Sequence, residues 1–216
     1  MTDVKPRAYR SPHRQEQARQ TRAAVLAAAR ERFLERGYTA TTIDEIAAAA
    51  GVSKPTVFTA VGNKAQLLKA VRDVAMAGDD TPAPVAQRPS VERAREAQTA
   101  GEALHLVAAH ITSVAGRYAR IDEVLHGAAA AGEPELAELW EAGEQQRLAG
   151  AGILLDIIRA KSPLRPGLDP RRAAGILSNY MASDVYLRLV HRLGWTPGDF
   201  QQWLQATLSW QLLGTS

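Results

Sequence analysis

The chain of 216 residues contains no cysteine, which excludes a disulfide framework and any thiolate metal site. It has no run of about 18 apolar residues, so a membrane-spanning helix is not expected. Segment 1–20 is basic but lacks the apolar stretch of a secretory signal, so we expect a cytoplasmic protein. Hydrophobic residues make up 46% of the chain, which is enough to bury a core.

Sequence patterns of common catalytic sites are also missing. The chain has no Gly-x-Ser-x-Gly elbow, no His-Glu-x-x-His, no P-loop and no full Gly-x-Gly-x-x-Gly. His105 and His110 do not have the i, i+4 spacing that places two metal ligands on one helix face. The acidic residues of 135–144 recur at every third position, which is typical of a solvated helix face. We therefore expect no enzyme activity, no catalytic residue, no metal and no cofactor.

Charge is unevenly distributed along the chain. Residues 1–72 contain 13 Lys and Arg against 6 Asp and Glu, whereas residues 73–216 contain 13 against 17. A basic first third joined to an acidic remainder indicates that the first third binds a polyanion such as nucleic acid.

The apolar residues follow a helical period, and strand signals are nearly absent, so the predicted fold is all-α. A first helix is predicted over about Gln15 to Arg36, and the last two over Asp169 to Leu193 and Pro197 to Leu213. A proline-rich stretch predicts a connector over 77–89. It would divide the chain into a domain over 1–76, which includes an N-terminal arm, and a larger helical domain over 90–216.

Two short helices joined by a tight turn form the central feature of the first domain. Thr42 and Glu45 have the spacing of a capping box at the start of the first short helix. Gly51 provides the turn, and Ser53 caps a second short helix, about Lys54 to Ala60. This arrangement is typical of a helix-turn-helix, whose second helix enters the major groove of DNA.

The residues around this feature follow a known order and spacing over about fifty positions. They are Phe33, Gly37-Tyr38, Thr41-Thr42, Asp44-Glu45, Ile46-Ala47, Ala50-Gly51-Val52-Ser53, Thr56-Val57-Phe58, Lys64 and Leu67-Leu68. The run resembles the DNA-binding domain of the TetR family of transcriptional regulators. Pro55, Phe58 and Ala60 depart from the family pattern, and the last two put two backbone contacts common in the family in doubt. Phe58 is expected to pack in the core.

The resemblance implies which residues contact DNA. Lys54, Thr56 and Thr59 would face the groove, where a lysine suits guanine and threonine methyl groups suit thymine. Phosphate contacts would come from Tyr38, Thr42 and Lys64, with Arg22 as a further basic contact. The arm before the first helix would either enter a minor groove or remain a solvated tail. Its basic residues are Lys5, Arg7, Arg10, Arg14 and Arg19.

The resemblance also implies a larger helical domain that binds a ligand and forms a homodimer through the last two helices. The expected ligand is a small apolar effector, and its candidate contacts are His110, Tyr118, Trp140, Tyr180 and Asp184. The predicted function is a transcriptional repressor that such an effector releases from double-stranded operator DNA. The alternative is a protein-interaction regulator that keeps the helix-turn-helix fold without specific DNA binding.

Overall fold

The computed structural model describes residues 12–80 and 87–214, and every regular element in these two ranges is helical. The chain divides into two compact units, Met1–Val71 and Arg72–Ser216. The predicted all-α fold, with a helix-turn-helix followed by a larger helical part, is confirmed. The predicted connector falls partly on residues 81–86, which lie outside the described residues.

The first unit is built on a long helix, α1, and two short ones. The helices are α1 Pro12–Ala40, α2 Ile43–Ala50, α3 Lys54–Ala60 and, beginning in this unit, α4 Lys64–Ala77. The apolar stripe of α1 is fully buried at Val25, Ala29 and Phe33. Gly37 interrupts the helical path of α1 with φ 74° and ψ 177°, one residue after the predicted helix end at Arg36, and a short helical stretch follows to Ala40.

Local side-chain chemistry fixes the starts of the next two helices, α2 and α3. The Thr42 hydroxyl accepts from the Glu45 amide at 3.2 Å, and the Glu45 carboxylate accepts from the Thr42 amide at 2.9 Å. The Ser53 hydroxyl accepts from the Thr56 amide at 3.3 Å at the start of α3. Gly51 turns the chain between α2 and α3 in the left-handed conformation, with φ 67°. The predicted capping box, turn and cap are confirmed.

The helices after α4 lie in the second unit. They are α5 Pro89–Glu96, α6 Ala100–Ala130, α7 Pro134–Arg159, α8 Pro170–Tyr180, α9 Ser183–Tyr186 and α10 Pro197–Leu208. The second unit has α6 at its centre, and α8 packs on α7. α6 contacts α5, α7, α9 and α10. The wider turns of a π-helix follow α9 over Leu187–Arg192 and α10 over Ser209–Leu213.

The single helix predicted over Asp169 to Leu193 is wrong, because the structure breaks it between α8 and α9. Ala182 has an extended backbone, with φ −65° and ψ 139°. A backbone carbonyl and a side-chain hydroxyl beside the break both bond to α6. The Tyr118 hydroxyl donates to the Met181 carbonyl at 3.3 Å, and the Ser183 hydroxyl donates to the Asp122 carboxylate at 2.7 Å. These tertiary contacts compensate for the interrupted helix.

Candidate DNA interface and ligand cavity

Helix α3 has one buried face and one exposed face. Val57 is fully buried, whereas Lys54 and Thr59 are exposed and Thr56 is half-buried. Ser53 shares a hydrogen bond of 2.8 Å with the Thr56 hydroxyl, and the Thr59 hydroxyl donates to the Pro55 carbonyl at 2.9 Å. The three residues predicted to face the groove therefore lie on one short helix whose start is fixed by a cap.

Phe58 is 47% exposed, so the prediction that it packs in the core is wrong. Successive residues of a helix are about 100° apart, and Val57 already occupies the buried face of this short helix. Phe58 therefore points away from the core and adds an aromatic ring to the exposed surface of the helix-turn-helix.

Lys54 is engaged within the protein. Its ammonium group lies 2.9 Å from the carboxylate of Asp44, which belongs to α2, and both side chains are largely solvent-exposed. An exposed pair of this kind contributes little to stability, so the lysine can exchange this partner for another anion or for a base edge.

The predicted phosphate-binding residues Tyr38 and Lys64 contact each other. Lys64 Nζ lies 4.1 Å from the centre of the Tyr38 ring and donates to the carbonyls of Tyr38 and Thr41 at 3.1 and 3.2 Å. Tyr38 is only 8% exposed and stacks on Phe33 at 5.9 Å. Both residues thus hold the end of α1 in place, and their phosphate contacts stay predictions.

The remaining basic candidates lie along α1. Arg22 Nη1 donates to the carbonyl of Ala60 at 3.1 Å and so ties α1 to the last residue of α3. The prediction that Arg14 and Arg19 belong to an arm before the first helix is wrong, because α1 begins at Pro12 and includes both. Arg14 is exposed, and Arg19 forms an exposed ion pair with Glu16 on the same helix. The arm residues Lys5, Arg7 and Arg10 lie outside the described residues.

The second unit encloses a cavity of about 810 Å³. His110 and Tyr118 of α6 line it, together with residues from the end of α4, the start of α5, and α7. This volume falls in the range of small-molecule sites.

The other three predicted ligand contacts do not line this cavity. Trp140 stacks on His126, with ring centres 4.4 Å apart. Tyr180 meets Trp203 edge to face at 5.7 Å. Asp184 is exposed and lies 3.9 Å from Arg188, one turn along the chain. The structure therefore brings together two of the five residues.

Four arginines line the cavity, and the sequence reasoning identified none of them as ligand contacts. They are Arg72, Arg88, Arg117 and Arg147. Asp79 is the one acidic residue among the described cavity-lining residues. The four come from three helices and one helix boundary, so their sequence positions give no signal that they converge.

Arg72 belongs to a buried polar cluster beside the cavity. Its Nε donates to Asp122 at 2.5 Å, and the Asp122 carboxylate also accepts from Ser183. A Cβ atom at Gly143 would lie 2.8 Å from Arg72 Nη2, so a larger residue at this position of α7 would require the guanidinium to shift. The cluster joins α4 to α6 through one ion pair and α9 to α6 through one hydrogen bond.

The two titratable cavity residues predicted from the sequence are both neutral at pH 7. Burial, and then the charge of Arg117, lower the pKa of His110 to about 4. Its Nδ1 shares a hydrogen bond of 2.9 Å with Ser90. Burial, and then the charge of Asp122, raise the pKa of Tyr118 well above its ordinary value. The net charge of the cavity wall therefore comes from its arginines and Asp79.

Within residues 12–80 and 87–214, no group of three or more His, Asp or Glu side chains could hold a metal ion. No helix in the same ranges is long and apolar enough to cross a membrane.

Comparisons with known proteins find matches to the first unit and to the whole fold. Residues 25–71 match the family model of "Bacterial regulatory proteins, tetR family". A stretch of 58 residues is 40% identical to the HTH-type transcriptional regulator TtgR of Pseudomonas putida. That stretch is 27% of this chain and 28% of TtgR, so the match spans under a third of the relative.

Two solved structures share the fold over nearly the whole chain. NalD of Pseudomonas aeruginosa, the secondary repressor of the MexAB-OprM multidrug efflux pump, has a TM-score of 0.64 and 24% identity, covering 91% of this chain and 98% of NalD. The transcriptional regulator FadR of Bacillus subtilis, in complex with stearoyl-CoA, has a TM-score of 0.66 and 21% identity, covering 86% of this chain and 96% of FadR.

Proposed function

We propose that this chain is a transcriptional repressor of the TetR family of bacterial regulatory proteins, whose family model matches residues 25–71, and that a small-molecule effector releases it from its operator. The observation that carries the proposal is α3. It follows α2 through a left-handed glycine turn and exposes Lys54 and Thr59 on a helix whose start is capped. A second helix of this kind fits the major groove of DNA.

In the proposed complex, α3 reads bases and its surroundings bind the backbone. Lys54 would leave Asp44 to donate to guanine O6 or N7, and the methyl groups of Thr56 and Thr59 would pack on thymine. Thr42 sits at the start of α2, where a helix N-terminus favours a phosphate. Backbone contacts fix the position of the domain on DNA, whereas the α3 residues provide sequence specificity.

We also propose that the protein acts as a homodimer formed through its last two helical segments. Leu193 and Trp210 lie in this region and are 64% and 63% exposed. A twofold interface would bury such apolar side chains once in each subunit. The dimer would place one α3 in each of two half-sites about 34–36 Å apart on DNA.

The cavity of the second unit is the proposed effector site. The stearoyl-CoA bound to FadR, a protein of the same fold, supports an effector with an apolar part. Helix α4 starts at Lys64, and its residues Arg72, Met76 and Ala77 line the cavity. An effector that binds better to a shifted position of α4 would disfavour the DNA-bound spacing and weaken operator affinity.

Exposed Phe58 favours one alternative, a protein-interaction regulator without specific DNA binding, because aromatic rings are enriched at protein interfaces. Selection of binding sites from random duplex DNA separates the two functions. A repressor would enrich one sequence with twofold symmetry and half-sites about one turn apart. Recovery of unrelated sequences at every salt concentration would contradict the repressor and favour the alternative.

A further inference from the structure

We propose that the cavity of the second unit takes an amphipathic organic anion with one negative charge, such as a carboxylate or sulfonate, and that Arg117 binds the charged group. The inference rests on the proposed function in that the cavity is the effector site. The sequence predicts an apolar effector. The inference adds that this effector has a charged group and that Arg117 recognises that group.

The body of the ligand would lie against apolar side chains. Ile111 and Val114 of α6, Ile153 of α7, and the methionines at 76 and 181 line the cavity. Met side chains adapt to ligands of different shape. A cavity of about 810 Å³ has room for an aromatic or aliphatic body of drug size.

The arginine that would bind the charged group of the ligand is identified by comparing which cavity arginines already have an acidic partner. Three of the four cavity arginines do. They are Arg72 with Asp122, Arg88 with Asp79, and Arg147 with Glu144. Each of these pairs is close to neutral, so an anion gains less net charge attraction from them than from an arginine without a carboxylate partner.

Arg117 lies within ion-pair distance of no carboxylate in the part of the chain that the structure describes. Its Nε and Nη2 each donate at 3.1 Å, to the carbonyls of Ala75 and Met76, and its Nη1 donates to the Ser113 hydroxyl at 2.8 Å. All three acceptors are neutral. A guanidinium carries five N–H donors, so donors remain for a ligand.

The electrostatics of the neighbouring groups agree with an uncompensated charge at this position. Burial, and then the charge of Arg88, lower the pKa of Arg117, and Asp79 only partly offsets this. The charge of Arg117 also helps to lower the pKa of His110. An anion bound at Arg117 would supply the missing counter-charge in a partly desolvated place, where a charge-assisted hydrogen bond is strong.

The charge balance also selects a monoanion. The four arginines face three carboxylates, counting the partners that lie outside the cavity wall, and His110 is neutral. One positive charge therefore remains. A polyphosphate would bring several negative charges into a site with one available counter-charge, which desolvation makes costly.

Two fluorescent probes with the same ring body test the inference on the full-length protein without DNA. They are 1-anilinonaphthalene-8-sulfonate, which is anionic, and N-phenyl-1-naphthylamine, which lacks the sulfonate. Arg117→Gln is expected to weaken binding of the anionic probe about tenfold or more, since it removes a charged hydrogen bond, and to change the neutral probe less than about twofold. Dodecanoate should displace the anionic probe, and its potency should fall in parallel in Arg117→Gln.

Three further variants control for site and fold. Arg120→Gln removes an exposed charge from the same helix and should leave both probes unchanged. Val114→Phe adds a larger side chain to the cavity wall and should weaken binding of both probes. This result would show that both probes bind in the cavity. Arg117→Lys keeps the charge and should retain most of the affinity for the anionic probe. Retained binding of the neutral probe by Arg117→Gln shows that this variant is folded.

Each contrary result has one meaning. Equal affinity of wild type and Arg117→Gln for the anionic probe would overturn the charged contact and leave the cavity as an effector site. Failure of both probes to bind the wild-type protein would overturn the proposal of an anionic ligand and also the proposal that the cavity is the effector site. Neither result bears on operator binding by α3, which is measured separately.

Discussion

Lys54 Nζ lies 2.9 Å from the carboxylate of Asp44, so the proposed base-reading lysine has an acidic partner in the preceding helix. The pair competes with DNA for the lysine, and the Asp44 carboxylate would also lie near a phosphate backbone. Both effects weaken DNA binding, and both decrease at high salt because ions screen the charges.

Removal of the acidic partner should therefore strengthen DNA binding. Asp44→Asn is expected to raise affinity for a 20-base-pair duplex by about two- to fivefold at low salt, with a smaller gain at high salt because ions screen the charge. Fluorescence anisotropy at two salt concentrations measures it. Glu138→Gln, which neutralises an exposed acid of α7, is the control and should not change affinity. A weaker complex with Asp44→Asn would show that the pair positions Lys54 for DNA.

Lys64 should matter for stability as well as for any phosphate contact. Its ammonium donates to two backbone carbonyls at the end of α1, and those acceptors lose a charged donor in Lys64→Met. The free energy of unfolding should fall by about 1–3 kcal/mol, as for other hydrogen bonds to charged groups. Urea unfolding measures this free energy. The control Lys54→Met breaks only an exposed pair and should change the free energy of unfolding by under about 0.5 kcal/mol. Equal effects would contradict the structural role.

The buried pair of Arg72 and Asp122 should be costly to break from one side. Asp122→Leu leaves a buried guanidinium without its partner and should lower the free energy of unfolding by about 3–5 kcal/mol. The double variant Arg72→Met with Asp122→Leu removes both charges and should recover part of that loss. Chemical denaturation compares them, with Glu123→Gln as an exposed control on α6. No recovery in the double variant would argue against a charge-specific effect.

The free energy of unfolding should decrease as the pH falls, because His110 is buried as a neutral group. Its pKa is about 4 in the folded chain against 6.5 unfolded, so the unfolded state binds the proton more tightly. The stabilisation from neutral His110 is complete above pH 6.5 and is lost as the pH falls toward 4. The loss is about 2 kcal/mol by pH 5. Unfolding at pH 8 and pH 5 should show a smaller loss in His110→Asn than in wild type. His105→Asn, an exposed histidine, should match the wild type.

The sequence predicts well what local chemistry decides. Thr42, Ser53 and Gly51 determine helix starts and a turn through bonds to atoms within a few residues, and the structure has all three. The resemblance to the family rests on the same segment, which is why the sequence alone predicts α3 and its start.

Tertiary contacts decide what the sequence does not predict. The break after α8 is accompanied by contacts with Tyr118 and Asp122 on α6, more than 60 residues earlier in the chain. The arginines of the cavity come from separate elements, so no spacing in the sequence identifies them. Trp140 suited a ligand site by residue type, but its ring packs on His126 away from the cavity.

The most direct test of the central claim is fluorescence-anisotropy binding to the DNA upstream of the protein's own gene at two salt concentrations. Wild type is compared with Lys54→Ala, Thr56→Ala and the control Arg171→Ala, which removes an exposed charge from α8. The account predicts tight, sequence-dependent binding that weakens steeply with salt, that both α3 variants lose, and that the control keeps. Binding by the α3 variants equal to that of wild type would contradict the claim that α3 reads the operator.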